Sequence, residues 1–375
     1  MTSNSSNNSV LGLSNMTQNI TVRKNELLET CFYKRTKYYF PHHDPKAEEF
    51  SPTVYRLFSR CSKTQVPNLG ILARLPQDIL EGIVLQLDID SFRRFRQVSR
   101  RARYLSTAIT AYRRVLRHAP DALNALRRTD LSGYVSYSDI YSALTTTKCA
   151  FCGLFGDSLF LPTAKRCCFE CLRISPETAL VNEARIRRRK QWEGLYANHT
   201  DALANALKST DIRTFKTHNW DDPKKMSKTR GVLAKDLLAA YIKIDRTMEE
   251  PGQALLNPGW LHYRLAASIH FPSLNPRTGQ LKTGLSCIGC HLNIWKQSDL
   301  SLVSLSSVNI SFNPYFRARD RSYSEDEAAL HFPQCSEAQR LWQKGENREQ
   351  CSFVQQEGTY YYRANKWRRD EENLA

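Results

Sequence analysis

The residues in this chain of 375 that could do chemistry are, first, its eleven cysteines, because they are clustered. Five lie between Cys149 and Cys171, and Cys287 with Cys290 forms a further pair. Clustered cysteines in a reducing compartment read as metal ligands before they read as bridges. The first group runs Cys149-x2-Cys152, fifteen residues, then Cys168-x2-Cys171. Each Cys-x2-Cys turn brings two sulfurs toward one ion, and two turns complete a tetrahedron. Zinc suits four sulfurs and has no redox chemistry. Four thiolates leave no open position for water, so the site is expected to be structural. Cys167 is an alternative ligand, but its spacing to Cys171 is one residue too long. The intervening FGDSLFLPTAKR suits a hairpin, with Gly156 and Asp157 near its turn.

Cys287-x2-Cys290 supplies half of a second site. His331-x3-Cys335 is the candidate for the other half, since that spacing lets both side chains face one way at a helix start. Cys351 and His291 are rivals. Two structural zinc ions per chain are therefore expected. The run CIGCH also fits covalent haem attachment. That chemistry needs an exported protein and a distal ligand, and neither is indicated here. His42 and His43 are adjacent, and neighbouring histidines rarely converge on one ion.

Nothing else in the chain suggests catalysis. The glycines are scattered, with no phosphate-binding loop, and no G-x-S-x-G elbow occurs. The histidines and acids show no spacing that selects a catalytic set. A non-catalytic protein is expected.

The elements that must position these cysteines are legible in part. Hydrophobic residues make up 41% and aromatics 10%, enough for packed interiors, and the length suggests two or three domains. No apolar run approaches the roughly 18 residues of a membrane helix. The polar start, MTSNSSNNSV, does not resemble a secretory signal. Residues 1–70, rich in Asn and Ser, are expected to be disordered or poorly structured. Sequons such as those at Asn15 and Asn19 are read there as Asn-rich sequence only. From Leu75 and Pro76 an apolar stripe follows through Ile79, Leu80, Ile83, Val84 and Leu87 at helical spacing. Asp90 suits the N-cap of a second helix bearing Phe92 and Phe95, and Val98 leads into a third. Three short helices leave apolar surface uncovered and need a partner. Residues 113–148 read as a helical connector. Residues 149–375 form the cysteine-rich part, with one or two helices after Val181, an irregular stretch over 251–275, strand pattern over 300–312, and a capping-box pattern at Ser336 and Gln339.

Lys plus Arg is 54 against 37 acids, a formal charge of +17, so an acidic partner is expected. Between Arg93 and Arg128 eleven arginines accompany one acid, Asp121. RIRRRK (185–190) suits nuclear import or a solvated helix face. The interleaved YYYRANKWRR near the C-terminus suits base stacking, though packing is the commoner role.

The ordered set Leu75-Pro76, Ile79-Leu80, Ile83, Leu87, an acidic turn, Phe92, Phe95 and Val98-Ser99 followed by basic residues resembles an F-box. One position departs: Ala102 and Arg103 stand where many F-boxes carry Trp. The remainder is similar to a fungal group of F-box proteins with cysteine-rich C-terminal regions. The similarity runs through Cys149-x2-Cys152, KRCCFECL, LSCIGC and HFPQCSEAQRLW.

The resemblance implies an α-rich, mixed α+β protein: a three-helix F-box over 71–112, then a zinc-stabilised, largely helical C-terminal domain over 149–375. It implies the substrate-recognition subunit of a Skp–cullin–F-box ubiquitin ligase. Such a subunit supplies proximity and no chemistry of its own. Leu75, Pro76, Ile79, Leu80, Ile83, Leu87, Phe92, Phe95 and Val98 would serve the Skp adaptor interface or the F-box's own small core. The cysteine-rich part would hold an unknown protein substrate. No membrane is expected, and the location would be cytoplasmic, nuclear or both. The competing reading is a nuclear zinc protein that binds nucleic acid.

Overall fold

The computed structural model describes residues 24–34, 69–187, 200–208, 212–218, 226–244, 261–296 and 314–345. The chain divides into two compact units. One is Tyr39–Thr283, and the other joins Met1–Tyr38 to Gly284–Ala375. The stretch expected as one cysteine-rich domain is therefore divided, with Cys149–Cys171 in one unit and Cys287–Cys335 in the other. His42, His43, Cys351, the strand pattern over 300–312, the C-terminal aromatic and basic run and the last three residues of RIRRRK lie outside the described residues.

In the first unit, α1 (Gln77–Gln86), α2 (Ile89–Val98) and α3 (Arg100–Ala108) follow one another with single-residue or two-residue joints. Pro76 is the N-cap of α1, where its missing N–H costs nothing. The cap of α2 is Asp88 and not the expected Asp90: the Asp88 carboxylate accepts from the Ser91 amide at 2.8 Å. Asp90 lies inside the first turn and accepts from the Ser132 hydroxyl at 2.7 Å. Ser99 caps α3 by accepting from the Ala102 amide at 3.1 Å.

These three helices do not stand by themselves. They continue into α4 (Thr110–His118), α5 (Pro120–Arg128) and α6 (Tyr137–Thr145). Phe92, Tyr112 and Tyr137 form one aromatic triangle, with centroids 4.6 to 4.9 Å apart. The Arg96 guanidinium lies over the Tyr112 ring at 4.7 Å and donates to the Thr107 hydroxyl. Burial pushes the Tyr137 hydroxyl well above its ordinary range, so this triangle is neutral at any physiological pH. The connector helices thus supply core that a lone three-helix unit lacks.

Beyond α6 comes a hairpin of β2 (Ser158–Phe160) and β3 (Lys165–Cys167), extended by β7 (Ser268–His270) on the other edge of β2. Its turn is Leu161–Ala164 and not Gly156–Asp157; Ala164 takes a left-handed φ of 50° there. A second antiparallel sheet orders β4 (Leu180–Asn182), β6 (Met226–Leu233) and β5 (Thr214–His218). Val181, Leu203, Val232, Leu237 and Tyr241 share a buried cluster there. The stretch expected to be irregular instead carries a helix, Leu261–Ala266, the strand β7 and a two-residue strand, β8 (Ser273–Leu274), which pairs antiparallel with β9 (Leu281–Lys282).

In the second unit, β1 (Phe32–Lys34) pairs antiparallel with β10 (Leu285–Cys287). Residues 24–31 are helical, so this part of the N-terminal stretch is ordered, contrary to expectation. The unit continues through the helices Ile288–Lys296, Pro314–Asp320, Glu325–His331 and Ser336–Lys344. Ser336 does not cap the last of these, because Cys335 occupies the N-cap position. Gln339 donates instead to the Pro333 carbonyl at 2.7 Å. A capping box does occur at Ser324 and Glu327. Among the described residues, no helix is long and apolar enough to cross a membrane.

Candidate metal centres and docking ridge

The sulfurs of Cys149, Cys152, Cys168 and Cys171 all lie within 4.8 Å of one another. Two local devices bring them there. Cys149 and Cys152 bracket a tight turn closed by Gly153 at φ 76°, whose amide donates to the Cys149 carbonyl at 3.0 Å. Only glycine takes that conformation without strain. Cys168 is the N-cap of a short helix, Phe169–Ile174, and accepts from the Cys171 amide at 3.4 Å. The Phe151 amide donates to the Cys149 sulfur, also at 3.4 Å. Backbone N–H groups aimed at sulfur favour the thiolate.

Cys167 is buried in β3 and stays outside the group, so the four expected ligands converge and the alternative does not. Burial pushes the Cys167 thiol far up, which suits a packing role. The hairpin itself is braced by its neighbour. Arg166 is buried and donates to the carbonyls of Ala143 at 2.9 Å, Gly156 at 2.7 Å, Phe271 at 3.0 Å and Pro272. Its own carbonyl accepts from the Ala150 amide at 2.9 Å, which ties the first cysteine turn to β3.

Cys287, Cys290, His331 and Cys335 form the second group, with ligand atoms again within 4.8 Å. Here Cys287 ends β10 and Cys290 lies in the first turn of the following helix, whose amide donates to the Cys287 sulfur at 3.4 Å. The His331 Nε2 faces the Cys290 sulfur at 3.2 Å. Its Nδ1 meets the Tyr323 hydroxyl at 3.3 Å, and the two rings stack with centroids 4.6 Å apart. An outer partner on the second ring nitrogen is the usual way a ligating histidine is oriented. His291 is buried but outside the group.

Both groups fit a tetrahedral thiophilic ion. Sulfurs about 2.3 Å from a zinc are about 3.8 Å from one another. The Cys152–Cys168 separation is 3.6 Å, Cys287–Cys335 is 3.8 Å and Cys290–Cys335 is 3.9 Å. Hydrogen bonds from Cys168 and Cys171 hold Cys149 far below the ordinary thiol range, and those two are raised in turn. Cys335 is lowered in the same way by Cys287 and Cys290. Like charges this close cannot all ionise unless a cation neutralises them. Two metal sites are thus available, one of four cysteines and one of three cysteines and a histidine.

The third feature is a ridge of exposed apolar side chains along α1 and the extended residue that leads into it, Leu75. Leu75, Ile79 and Ile83 recur every fourth residue and are 38%, 54% and 48% exposed. Leu80 and Val84, one residue further on and about 100° round the helix, are buried, and α1 packs against α3 and α6. The expected residues therefore separate into two sets. Leu75, Pro76, Ile79, Ile83 and Val98 face solvent, and Leu80 and Phe92 are core. Leu87 and Phe95 are half-buried. Ala102, at the position where Trp was noted as missing, is fully buried.

The family model for the F-box domain matches residues 72–112. This segment, comprising α1, α2 and α3, is an F-box. No curated protein and no solved structure matches the chain. F-box domains serve as non-catalytic adaptors that join a receptor to a ligase assembly through a Skp partner.

Sequence reasoning missed Tyr323, Phe32 and Cys31 around the second site. Each lies far along the chain from the ligands it serves, or in a segment whose composition is polar.

Proposed function

We propose that the chain is the substrate-recognition subunit of a Skp–cullin–F-box ubiquitin ligase. The observation that carries this reading is the exposed ridge of Leu75, just before α1, and of Ile79 and Ile83 on it, all within the F-box match. Leaving roughly half of each of those side chains in water forgoes on the order of 1 kcal/mol each, which burial in a partner groove would recover. The Skp adaptor would cover the ridge, and a cullin would join through it. The chain itself would perform no chemistry. It would hold a protein substrate where ubiquitin transfer becomes effectively unimolecular.

Each cysteine group would hold one structural zinc. In a small unit with limited core, the metal supplies folding free energy that burial alone does not. Such rigid units suit a substrate-presenting surface. A cytoplasmic or nuclear location follows from the partners.

The test is capture of the full-length chain with and without the double substitution Leu75→Ala/Pro76→Ala. Co-purification of adaptor and cullin with the wild-type chain, lost in the variant, supports the reading. Equal capture by both chains rejects it.

A further inference from the structure

The helical segment 24–31 and strand β1 cross some 250 residues of sequence to reach the second metal centre, and they touch three of its ligand-bearing pieces. Phe32 is in register with Cys287, and Tyr33 with Ser286. The Phe32 ring stands edge-on to His331 at 6.2 Å and to Tyr323 at 6.3 Å. The Cys31 thiol donates to the Ala338 carbonyl at 3.3 Å, in the first turn of the helix that Cys335 caps. On the other side of β10, Leu285 and Tyr323 exchange backbone hydrogen bonds at 2.9 and 2.8 Å. Cys31 and Phe32 are both fully buried. An exposed ion pair, Lys24 with Asp326 at 2.6 Å, closes the far end.

We propose that residues 24–34 are a strap whose docking and metal binding at Cys287, Cys290, His331 and Cys335 form one linked equilibrium, with Phe32 and Tyr323 as positioning residues for His331. The proposal rests on the reading that this group binds a metal. The physical argument is reciprocity. The strap's site consists of the pieces that the ion holds together, namely β10, the His331 ring and the start of the Cys335-capped helix. Without the ion these pieces lose their mutual placement, and the strap loses its register and its buried slot. With the strap docked, His331 is stacked on Tyr323 and Phe32 stands beside the pair, edge-on to both rings, with Nε2 facing the Cys290 sulfur. Whatever favours one event favours the other by the same factor.

The experiment uses the full-length zinc-loaded chain and three readouts. These are metal release to a chelator, alkylation of cysteines by N-ethylmaleimide, and assignment of labelled peptides by mass spectrometry. In the loaded protein Cys31 resists alkylation. On chelation it becomes labelled together with Cys287, Cys290 and Cys335. Phe32→Ala speeds release from the second site about tenfold or more and leaves the Cys149–Cys171 site unchanged. Tyr323→Phe keeps the ring and removes the hydroxyl. It accelerates release likewise, while Cys31 stays protected as long as the metal is bound, which packing alone does not predict. Continued protection of Cys31 after the second site is emptied overturns the proposal, as does release from Phe32→Ala at the wild-type rate. A chain that takes up only one equivalent of zinc overturns the metal reading itself, and the two failures are thus distinguishable.

Discussion

Gly289 and Ala338 approach so closely that a Cβ on Gly289 would lie 2.3 Å from the Ala338 amide nitrogen and 2.9 Å from the Cys335 sulfur. The glycine between Cys287 and Cys290 is therefore what lets two helix starts meet at one group of candidate ligands. Its neighbour is backbone, which cannot swing aside as a flexible side chain could. Gly289→Ala is expected to destabilise this unit by about 1–3 kcal/mol through overpacking. It should also lose one zinc equivalent while the Cys149–Cys171 site keeps its own. Elemental analysis of the purified variant reads this directly, and two retained equivalents would show that the approach is not needed.

The first metal centre separates Cys167 from its neighbours. Cys168→Ser/Cys171→Ser is expected to reduce two zinc equivalents to one. Cys167→Ala is expected to retain both, because the Cys167 side chain is buried in β3 outside the four-sulfur group. Metal loss in the Cys167 variant equal to that in the double variant would move the ligand assignment.

Two F-box residues of similar apolarity should behave oppositely. Phe92 is fully buried in the aromatic triangle with Tyr112 and Tyr137, and Phe92→Ala is expected to cost about 3–5 kcal/mol in folding stability. Ile79 faces solvent, and Ile79→Ala should change stability by less than about 0.5 kcal/mol while weakening adaptor capture. Denaturant unfolding and binding measured side by side distinguish core from ridge. A large stability loss at Ile79 would place it in the core.

The α2 cap gives a pH signature. Burial tends to raise the Asp88 carboxyl, but its hydrogen bonds with Ser91 outweigh this and hold it below the usual carboxylate value. The sign follows: a carboxyl lowered in the folded state stabilises above its unfolded value of about 3.9, and that contribution fades as pH falls through the lower folded value. Asp88→Ala is expected to cost about 1 kcal/mol at neutral pH. The difference from wild type should shrink below about pH 4, as read by thermal unfolding across pH. A pH-independent difference would mean that the carboxylate charge plays no part.

How much of this was legible depended on whether a signal was local. The Cys-x2-Cys and His331-x3-Cys335 spacings and the stripe from Leu75 to Leu87 carry their geometry within a few residues, and the two candidate ligand groups and the first helix could be read from them. The exchange of Asp90 for Asp88 is a two-residue shift within an Asp-Ile-Asp triplet, where either carboxylate can cap and packing decides. The hairpin turn was misplaced because Gly156 and Asp157 look like turn residues. The chain instead bends at Leu161–Ala164, with Ala164 left-handed, and Gly156 is needed for close approach: a Cβ there would lie 2.9 Å from the Arg166 side chain and 3.1 Å from the Cys167 backbone. Ser336 lost its capping role because Cys335, drawn to the metal group, already holds the N-cap. The strap was illegible for a different reason. Cys31-Phe32-Tyr33 is too short to announce a strand, and its partner lies some 250 residues away.

Docking of the exposed F-box ridge into an adaptor of a ubiquitin ligase can be measured directly. The most direct measurement is affinity of the purified full-length chain for purified Skp adaptor, wild type against Leu75→Ala/Pro76→Ala, with both chains shown to be equally folded and zinc-loaded. The account predicts tight binding by the wild-type chain, weakened at least tenfold in the variant. Absence of binding by the folded wild-type chain, or undiminished binding by the variant, would contradict it.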